Sequence, residues 1–266
     1  MLRRKRSLNR TKKDIPILDR IRSIKSDHPL WGYRRVWAYM RYRDGIVVGK
    51  NRIYRLMNEH QLLVPKNAKL KAKRHSRRAK PVAQRPNQIW GMDMTKVRLT
   101  DWGWVYVHVV LDWYTKEIIG TAVSHSSKTC DWLEALNNAV NTRFPEGIHS
   151  QDNTLMLVTD NGCQPTSTQF MRDCSILGIK QIFTTWNNPK GNADTERVFR
   201  TMKEDLVWPN EWNLPFEFTK DFHHWIHQYN TDFPHQSLNY QTPHQFMQNQ
   251  TKKEDTKSYL YSLNFA

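Results

Sequence analysis

The sequence predicts a mixed α/β domain preceded by a small all-α domain, and two observations carry that expectation. The first is charge. Of 266 residues, 41 are Lys or Arg and 25 are Asp or Glu, a formal net charge of +16. Residues 1–86 hold 26 of the cations against five acids, a net of +21, whereas residues 87–266 carry a net of −5. The second is periodicity: apolar residues recur at helical spacing before Pro86 and at strand spacing after it. A hydrophobic share of 38% with 12% aromatics builds a core, which excludes a disordered tail. Three cysteines, Cys130, Cys163 and Cys174, without CxxC spacing, exclude a disulfide framework and a cysteine-cluster zinc site. No apolar run nears the roughly 20 residues that span a bilayer, and no apolar core follows the basic start MLRRKRSLNR. A soluble intracellular protein whose partner is an acidic polymer is expected, with no membrane.

In the basic segment, Pro16 is read as the start of a first helix, with Ile17, Ile21 and Ile24 as its stripe and an end near Asp27-His28-Pro29. A second helix follows Gly32, with Val36, Tyr39 and Met40 among Arg34, Arg35, Arg41 and Arg43. A third runs from about Lys50 to Gln61, with Ile53, Leu56 and Met57 inward and Lys50, Asn51, Arg52 and Arg55 outward. Three short helices with basic outer faces and a turn at Val47-Val48-Gly49 suit a helix-turn-helix, in which the first residues of the last helix enter the major groove. Lys50, Asn51, Arg52 and Arg55, with Arg34 and Arg35, are therefore candidate DNA contacts. A plain helical bundle or a solubilising basic tail is the alternative. Residues 65–85, which include Arg74, Arg77 and Arg78, have no apolar periodicity and read as a basic linker lying on phosphates.

From Pro86 the pattern becomes strands. Gln88–Leu99 puts Trp90, Met92 and Met94 on one face and Gly91, Asp93 and Thr95 on the other. Trp104–Leu111 and Glu117–Val123 are β-branched runs joined by a turn at Tyr114-Thr115-Lys116. A helix follows over 128–143, then a wholly apolar strand at Thr154–Thr159, of the kind buried on both faces. A helix over 166–177, a strand over 179–185 and a helix from Gly191-Asn192 complete the set. Three meandering strands, then helix, strand, helix, strand, helix, is the order of an RNase H-like domain. The fold class is thus α/β, an RNase H-like mixed sheet flanked by helices, preceded by a small all-α helix-turn-helix domain. The boundaries are 1–64 for the helical domain, 65–85 for the linker, 86–250 for the core and 251–266 for a tail.

Three acids stand out in that frame. Asp93 lies mid-strand, where a carboxylate is costly to bury unless it binds something. Asp160 ends the apolar strand, at the carboxyl edge where ligands gather in α/β sheets. Glu196 lies one turn into the last helix, with 35 residues between it and Asp160. In this strand order the first and fourth strands are neighbours, which sets Asp93 beside Asp160. Each acid has a plainer reading: Asp160-Asn161-Gly162 as a simple turn, Glu196 as a solvated residue near a positive helix end, Asp93 as an acceptor at a bulge.

At these residues the chain resembles the DDE-superfamily transposases of bacterial insertion sequences, which share the retroviral integrase catalytic core. More narrowly, it is similar to the downstream-frame protein of two-frame elements. The resemblance is carried by WGYRRVWAYM, QIWGMDMTKV, VVLDWYTKEIIG, LVTDNGCQ, NNPKGNADTERVFRTMKED and YNTDFPHQSLNYQTPHQF, in the family's order over roughly residues 28–248. It implies that Asp93, Asp160 and Glu196 are catalytic and bind two Mg²⁺ (or Mn²⁺) ions per site, Asp93 bridging both, Asp160 on one and Glu196 on the other. Two such ions about 3.5–4 Å apart stabilise the attacking and leaving oxygens of an in-line phosphoryl displacement. The implied activity is 3′-end cleavage and strand transfer of an insertion sequence. Arg200 and Lys203, four and seven residues after Glu196 on one helix face, are set to hold DNA phosphates. The implied partners are double-stranded DNA (element ends and target), a second copy or higher multimer, and an upstream-frame helix-turn-helix and leucine-zipper protein or fusion. The implied location is the bacterial cytoplasm, at the nucleoid.

Other candidates read otherwise. His223, His224 and His227 converge on a helix but lack further ligands, and exposed or capping histidines are the expectation. Asp112 is read as the cap of its turn. Phe233 stands where the family carries a basic residue, which weakens a phosphate contact there, and Cys163 replaces a common serine. Trp102 and Trp104 near the hairpin tip are left open between packing and DNA contact. An inactive or regulatory DNA-binding fragment and an RNase H-type nuclease are the alternative functions.

Overall fold

The computed structural model describes residues 8–64, 82–148, 155–184 and 192–250, the side chains of 8–12 excepted. The chain divides into two compact units, one of Met1–Ala72 with Phe233–Gln241 and one of Lys73–Asp232 with Thr242–Ala266.

The helical unit contains α1 (Leu8–Asp27), α2 (Tyr33–Tyr42) and α3 (Lys50–Glu59). The helical stripes form its core: Ile21, Ile24, Val36, Met40, Ile53, Leu56 and Met57 are buried, as are Trp31 and Trp37. Pro16 does not start the first helix but lies inside it. A proline within a helix costs ~3 kcal/mol through its missing N–H and its clash with the carbonyl four residues back. Tertiary contacts hold the turn before it: Asp14 is bound by Arg52 at 2.6 Å and Arg55 at 2.7 Å, both from α3. A second clamp, Arg20 to Asp44, uses two nitrogens at 2.7 Å each. Phe233, which the sequence boundaries place in the 86–250 core, packs in this unit instead. Its ring meets Trp31 edge-on at 5.5 Å, and the Arg35 guanidinium lies 4.0 Å above it. An apolar ring stands there because it fills a wall of the helical core, leaving only 6% of it exposed.

The α/β unit is built on β1 (Ile89–Leu99), β2 (Gly103–Asp112), β3 (Ile118–Ser124), β4 (Met156–Thr159) and β5 (Lys180–Phe183). The sheet order is β3-β2-β1-β4-β5. β1, β2 and β3 pair antiparallel, while β4 pairs parallel to both β1 and β5. The flanking helices are α4 (Thr129–Arg143), α5 (Thr168–Ile176), α6 (Ala193–Met202), which runs on into a π-turn at Lys203–Val207, and α7 (Pro215–Thr231). Strand alternation sorts the two layers. Trp90, Met92, Val110 and Ala122 face one core with Trp132, Leu136 and Phe170, and α4 approaches so closely that a Cβ on Gly120 would stand 2.4 Å from the Ala135 carbonyl. Gly91 and Asp93 face the other way, where α6 lies against β1.

Asp112 caps its turn as read. One carboxylate oxygen accepts the Tyr114 N–H at 2.7 Å and the Thr115 N–H at 3.3 Å, and the other accepts the Asn87 N–H at 2.7 Å. Burial raises its pKa, and those donors oppose the rise. On β3 the Asn230 amide from α7 exchanges two hydrogen bonds with the Ile118 backbone, at 3.0 and 2.9 Å. That side chain takes the place of a further strand at the sheet edge. No helix among the described residues is long and apolar enough to cross a membrane.

Candidate active site

The parallel pairing of β1 with β4 is what brings acids together. The last pair is Gly91 with Val158, and Asp93 and Asp160 each stand two residues further along. Thr184 donates to the Thr159 carbonyl at 2.9 Å, which fixes the end of β4 against the residue after β5. Asp160 then turns sharply, one carboxylate oxygen accepting the Gly162 N–H at 3.0 Å. The turn reading of Asp160-Asn161-Gly162 holds, and the turn leaves Asp160 at the end of β4.

Glu196 is positioned by the docking of α6 onto β1, and Gly91 is the contact point. A Cβ there would stand 2.2 Å from Trp113 Nε1, 2.4 Å from Thr195 Oγ1 and 2.9 Å from Asn192 Oδ1. Only glycine admits that approach. Asn192 Nδ2 donates to the Met92 carbonyl at 3.2 Å, and Trp113 Nε1 to Thr195 Oγ1 at 3.5 Å. Lys116 pairs with Asp194 at 3.1 Å. These residues were missed in the sequence; a glycine inside a strand was the available signal.

The electrostatics converge on Asp93. Its carboxyl is pushed up to about 7, first by burial, with the Met94 N–H opposing, then by the negative charges of Asp160 and Glu196, with Lys203 opposing. Asp160 and Glu196 are exposed and Lys203 half-buried. The structure thus brings Asp160, Glu196 and Lys203 within electrostatic reach of Asp93. Among the described residues no group of three or more His, Cys, Asp or Glu side chains stands ready to enclose a metal ion. The donors nevertheless fit a hard divalent cation: they are carboxylate oxygens, and the pKa of one is raised first by burial and then by the other two acids.

The other candidates separate. Arg200 is exposed and pairs with Glu204 at 2.8 Å. Lys50 lies over the Trp37 and Tyr240 rings, at 4.1 and 4.8 Å, and Asn51 and Arg34 are exposed. Arg35 is stacked on Phe233, and Arg52 and Arg55 are clamped on Asp14, so these three guanidiniums hold the helical core together. Arg74, Arg77 and Arg78 lie outside the described residues. His223, His224 and His227 are exposed along α7.

Comparison with known families agrees with this architecture. Residues 12–69 match an HTH-like domain, and residues 83–189 and 177–243 match two families described as integrase core domains. The chain is an HTH-like domain joined to an integrase core domain. It is homologous to insertion-element transposases: the transposase InsD for insertion element IS2A/D/F/H/I/K of Escherichia coli is 24% identical over 243 residues, 88% of this chain and 79% of that one. Among solved structures, the HTLV-2 integrase catalytic core domain in complex with magnesium aligns over 62% of this chain and 99% of its own, at 18% identity and a TM-score of 0.46. The catalytic domain of Mos1 mariner transposase aligns over 53% of this chain and 70% of its own, at 14% identity and a TM-score of 0.46.

Proposed function

We propose that this chain transposes an insertion sequence by metal-dependent 3′-end cleavage and strand transfer, with Asp93, Asp160 and Glu196 as its catalytic acids. The single observation behind the reading is the placement of half-buried Asp93 on β1 beside the end of β4, where Asp160 and, from α6, Glu196 act on its carboxyl. Like charges gathered around a desolvated carboxylate destabilise the protein unless a ligand uses them.

The three carboxylates would hold Mg²⁺ or Mn²⁺, two ions per site. When bound, such ions lower the pKa of water and neutralise charge on the oxygens of the displaced phosphodiester. Asp93 would hold the ions as a carboxylate, its Oδ1 fixed by accepting the Met94 N–H at 2.8 Å. Asp160 is oriented by Gly162 N–H, and Glu196 by the contact of α6 with Gly91. Lys203, which already tempers the charge on Asp93, holds a DNA phosphate beside the acids, and Arg200 extends that contact along the helix. The exposed outer residues of α2 and α3 (Arg34, Lys50 and Asn51) contact the element ends, with Arg74, Arg77 and Arg78 on neighbouring phosphates. Because two ends react together, the working form is a dimer or larger assembly, with or without an upstream-frame helix-turn-helix and leucine-zipper partner, in the bacterial cytoplasm.

The test is strand transfer by purified protein on labelled DNA carrying the flanking element ends, with Mg²⁺, beside Glu196→Gln. Joined products that fall at least ~10³-fold in the variant are expected. DNA binding without joining or nicking, in the chain alone and when fused to its upstream frame, would identify a regulatory protein instead. Cleavage of RNA in hybrids without joining would identify a hybrid nuclease.

A further inference from the structure

The β1–β2 hairpin continues beyond the layer formed by α4 and α5. On the opposite face Val97, Leu99, Val105 and Val107 are almost wholly buried, so the hairpin end is a firm plate with one side open. That open side carries Lys96, Arg98, Trp104 and Tyr106, registered as Arg98 opposite Trp104 and Lys96 opposite Tyr106. Trp104 is 49% exposed, and the Lys96 ammonium lies 5.1 Å above its ring. Trp102, at the turn, is 50% exposed and lies 5.2 Å from the His125 ring. The Ser127 hydroxyl, 3.4 Å from His108 Nε2 on the same face, brings exposed Lys128 to its edge. Lys96 and Arg98 thus flank Trp104, with Lys128 at the edge of the face, against two acids: Asp101 at the turn, and Glu211, which shares a cleft with Arg98. Asp131 is spent on the start of α4, accepting the Lys128 N–H at 2.7 Å and the Ser126 hydroxyl at 3.1 Å.

Two large flat rings left half in water, beside cations, in a segment (residues 87–266) of net negative charge, are a poor surface and a good nucleic-acid platform. We infer that this plate is a second DNA-contact surface, on which Lys96, Arg98 and Lys128 take phosphates while Trp102 and Trp104 stack on bases unstacked from a distorted duplex. It rests on the reading of the chain as a DNA-transposing protein. The occupant is DNA because its phosphates meet the cations and its bases the ring faces; the element end and the target share that chemistry, and the probes below separate them.

The test is fluorescence anisotropy of the full chain in EDTA, with labelled 30-base-pair duplexes of element-end or unrelated sequence, each fully paired or carrying a two-nucleotide mismatch bubble. Wild type is expected to bind the bubble duplexes about tenfold more tightly than their paired counterparts. Trp104→Leu loses that preference, and Trp104→Phe, which keeps a ring on the same strand, retains most of it. Lys96→Gln with Arg98→Gln weakens all duplexes alike and lowers the slope of log affinity against log salt by about two. Loss on both sequences assigns the plate to target DNA, and loss on the element end alone assigns it to that end. If wild type binds DNA and the variants match it on every probe, the plate is not a DNA surface while the transposase reading stands. If wild type binds none of the duplexes, both fall.

Discussion

Asp14 in the helical unit and Asp93 in the α/β unit are both carboxylates withdrawn from water, and their surroundings treat them in opposite ways. Burial pushes the pKa of Asp14 up, but hydrogen bonds from Arg55 and Arg52 outweigh it and hold the carboxyl below its usual range. Asp93 meets burial with carboxylates for neighbours and rises to about 7. The first arrangement is complete as it stands. The second, on the function proposed above, is completed by a cation, and that difference would separate an acid that holds a fold together from one kept for chemistry.

Neutralising each acid breaks the comparison or sharpens it. Asp14→Ala strands two arginines and releases the turn before Pro16, so the helical unit should lose about 3 kcal/mol in denaturant unfolding. Asp93→Asn keeps an acceptor for the Met94 N–H and removes the repulsion. Without divalent ions it should melt no earlier than wild type, while the rise in melting temperature produced by Mg²⁺ should vanish. Equal destabilisation by both substitutions would erase the distinction. Gly91→Ala comes next. The added methyl meets Trp113, Thr195 and Asn192 and pushes α6 from β1, at a cost of about 2 kcal/mol. Displacing Glu196 by about an ångström should lower strand transfer on the order of 10²-fold.

The smallest effect is in pH. His108, fully buried in the α/β unit, has its pKa pushed down by burial from the usual 6.5 to about 4. The native imidazole stays neutral where the unfolded one takes a proton, so stability is intact above pH 6.5 and falls as pH drops towards 4. Between pH 6.5 and 5.5 the loss is about 1 kcal/mol. The Asp14 contribution has the lowered-acid sign: it is present above the ordinary carboxylate pKa of 3.8 and lost only below it. Asp93, raised to about 7, takes its proton more readily in the native state and offsets the His108 loss as pH falls. The His108 contribution is therefore read by difference: between pH 6.5 and 5.5, His108→Gln should lose about 1 kcal/mol less stability than wild type in urea unfolding.

The strands and the relative placement of Asp93 and Asp160 were legible in the sequence because a period of two and an unbroken apolar run survive whatever packs on them. The π-turn after Met202 and the close seat of α6 on Gly91 were not, since both are set by neighbours distant in the chain. Arg52 and Arg55 were misleading for the same reason. Spacing puts them on the outer face of α3, and only the position of Asp14, some 40 residues earlier, shows that they are spent on holding α1. Pro16 read as a start signal because local propensity cannot register the tertiary contacts that carry a helix through it. The basic residue expected where Phe233 stands was absent for a reason visible only in three dimensions, in the ring's contact with Trp31.

That contact has a consequence for how the protein is made. Trp31 leaves the ribosome 202 residues before Phe233, an interval on the order of ten seconds or more at ordinary translation rates. Through all of it the helical unit lacks a wall. A chain stopped anywhere short of Phe233, by a nonsense codon or a failed frame, carries a helical unit in which Trp31 lacks the Phe233 ring and Trp37 lacks Tyr240.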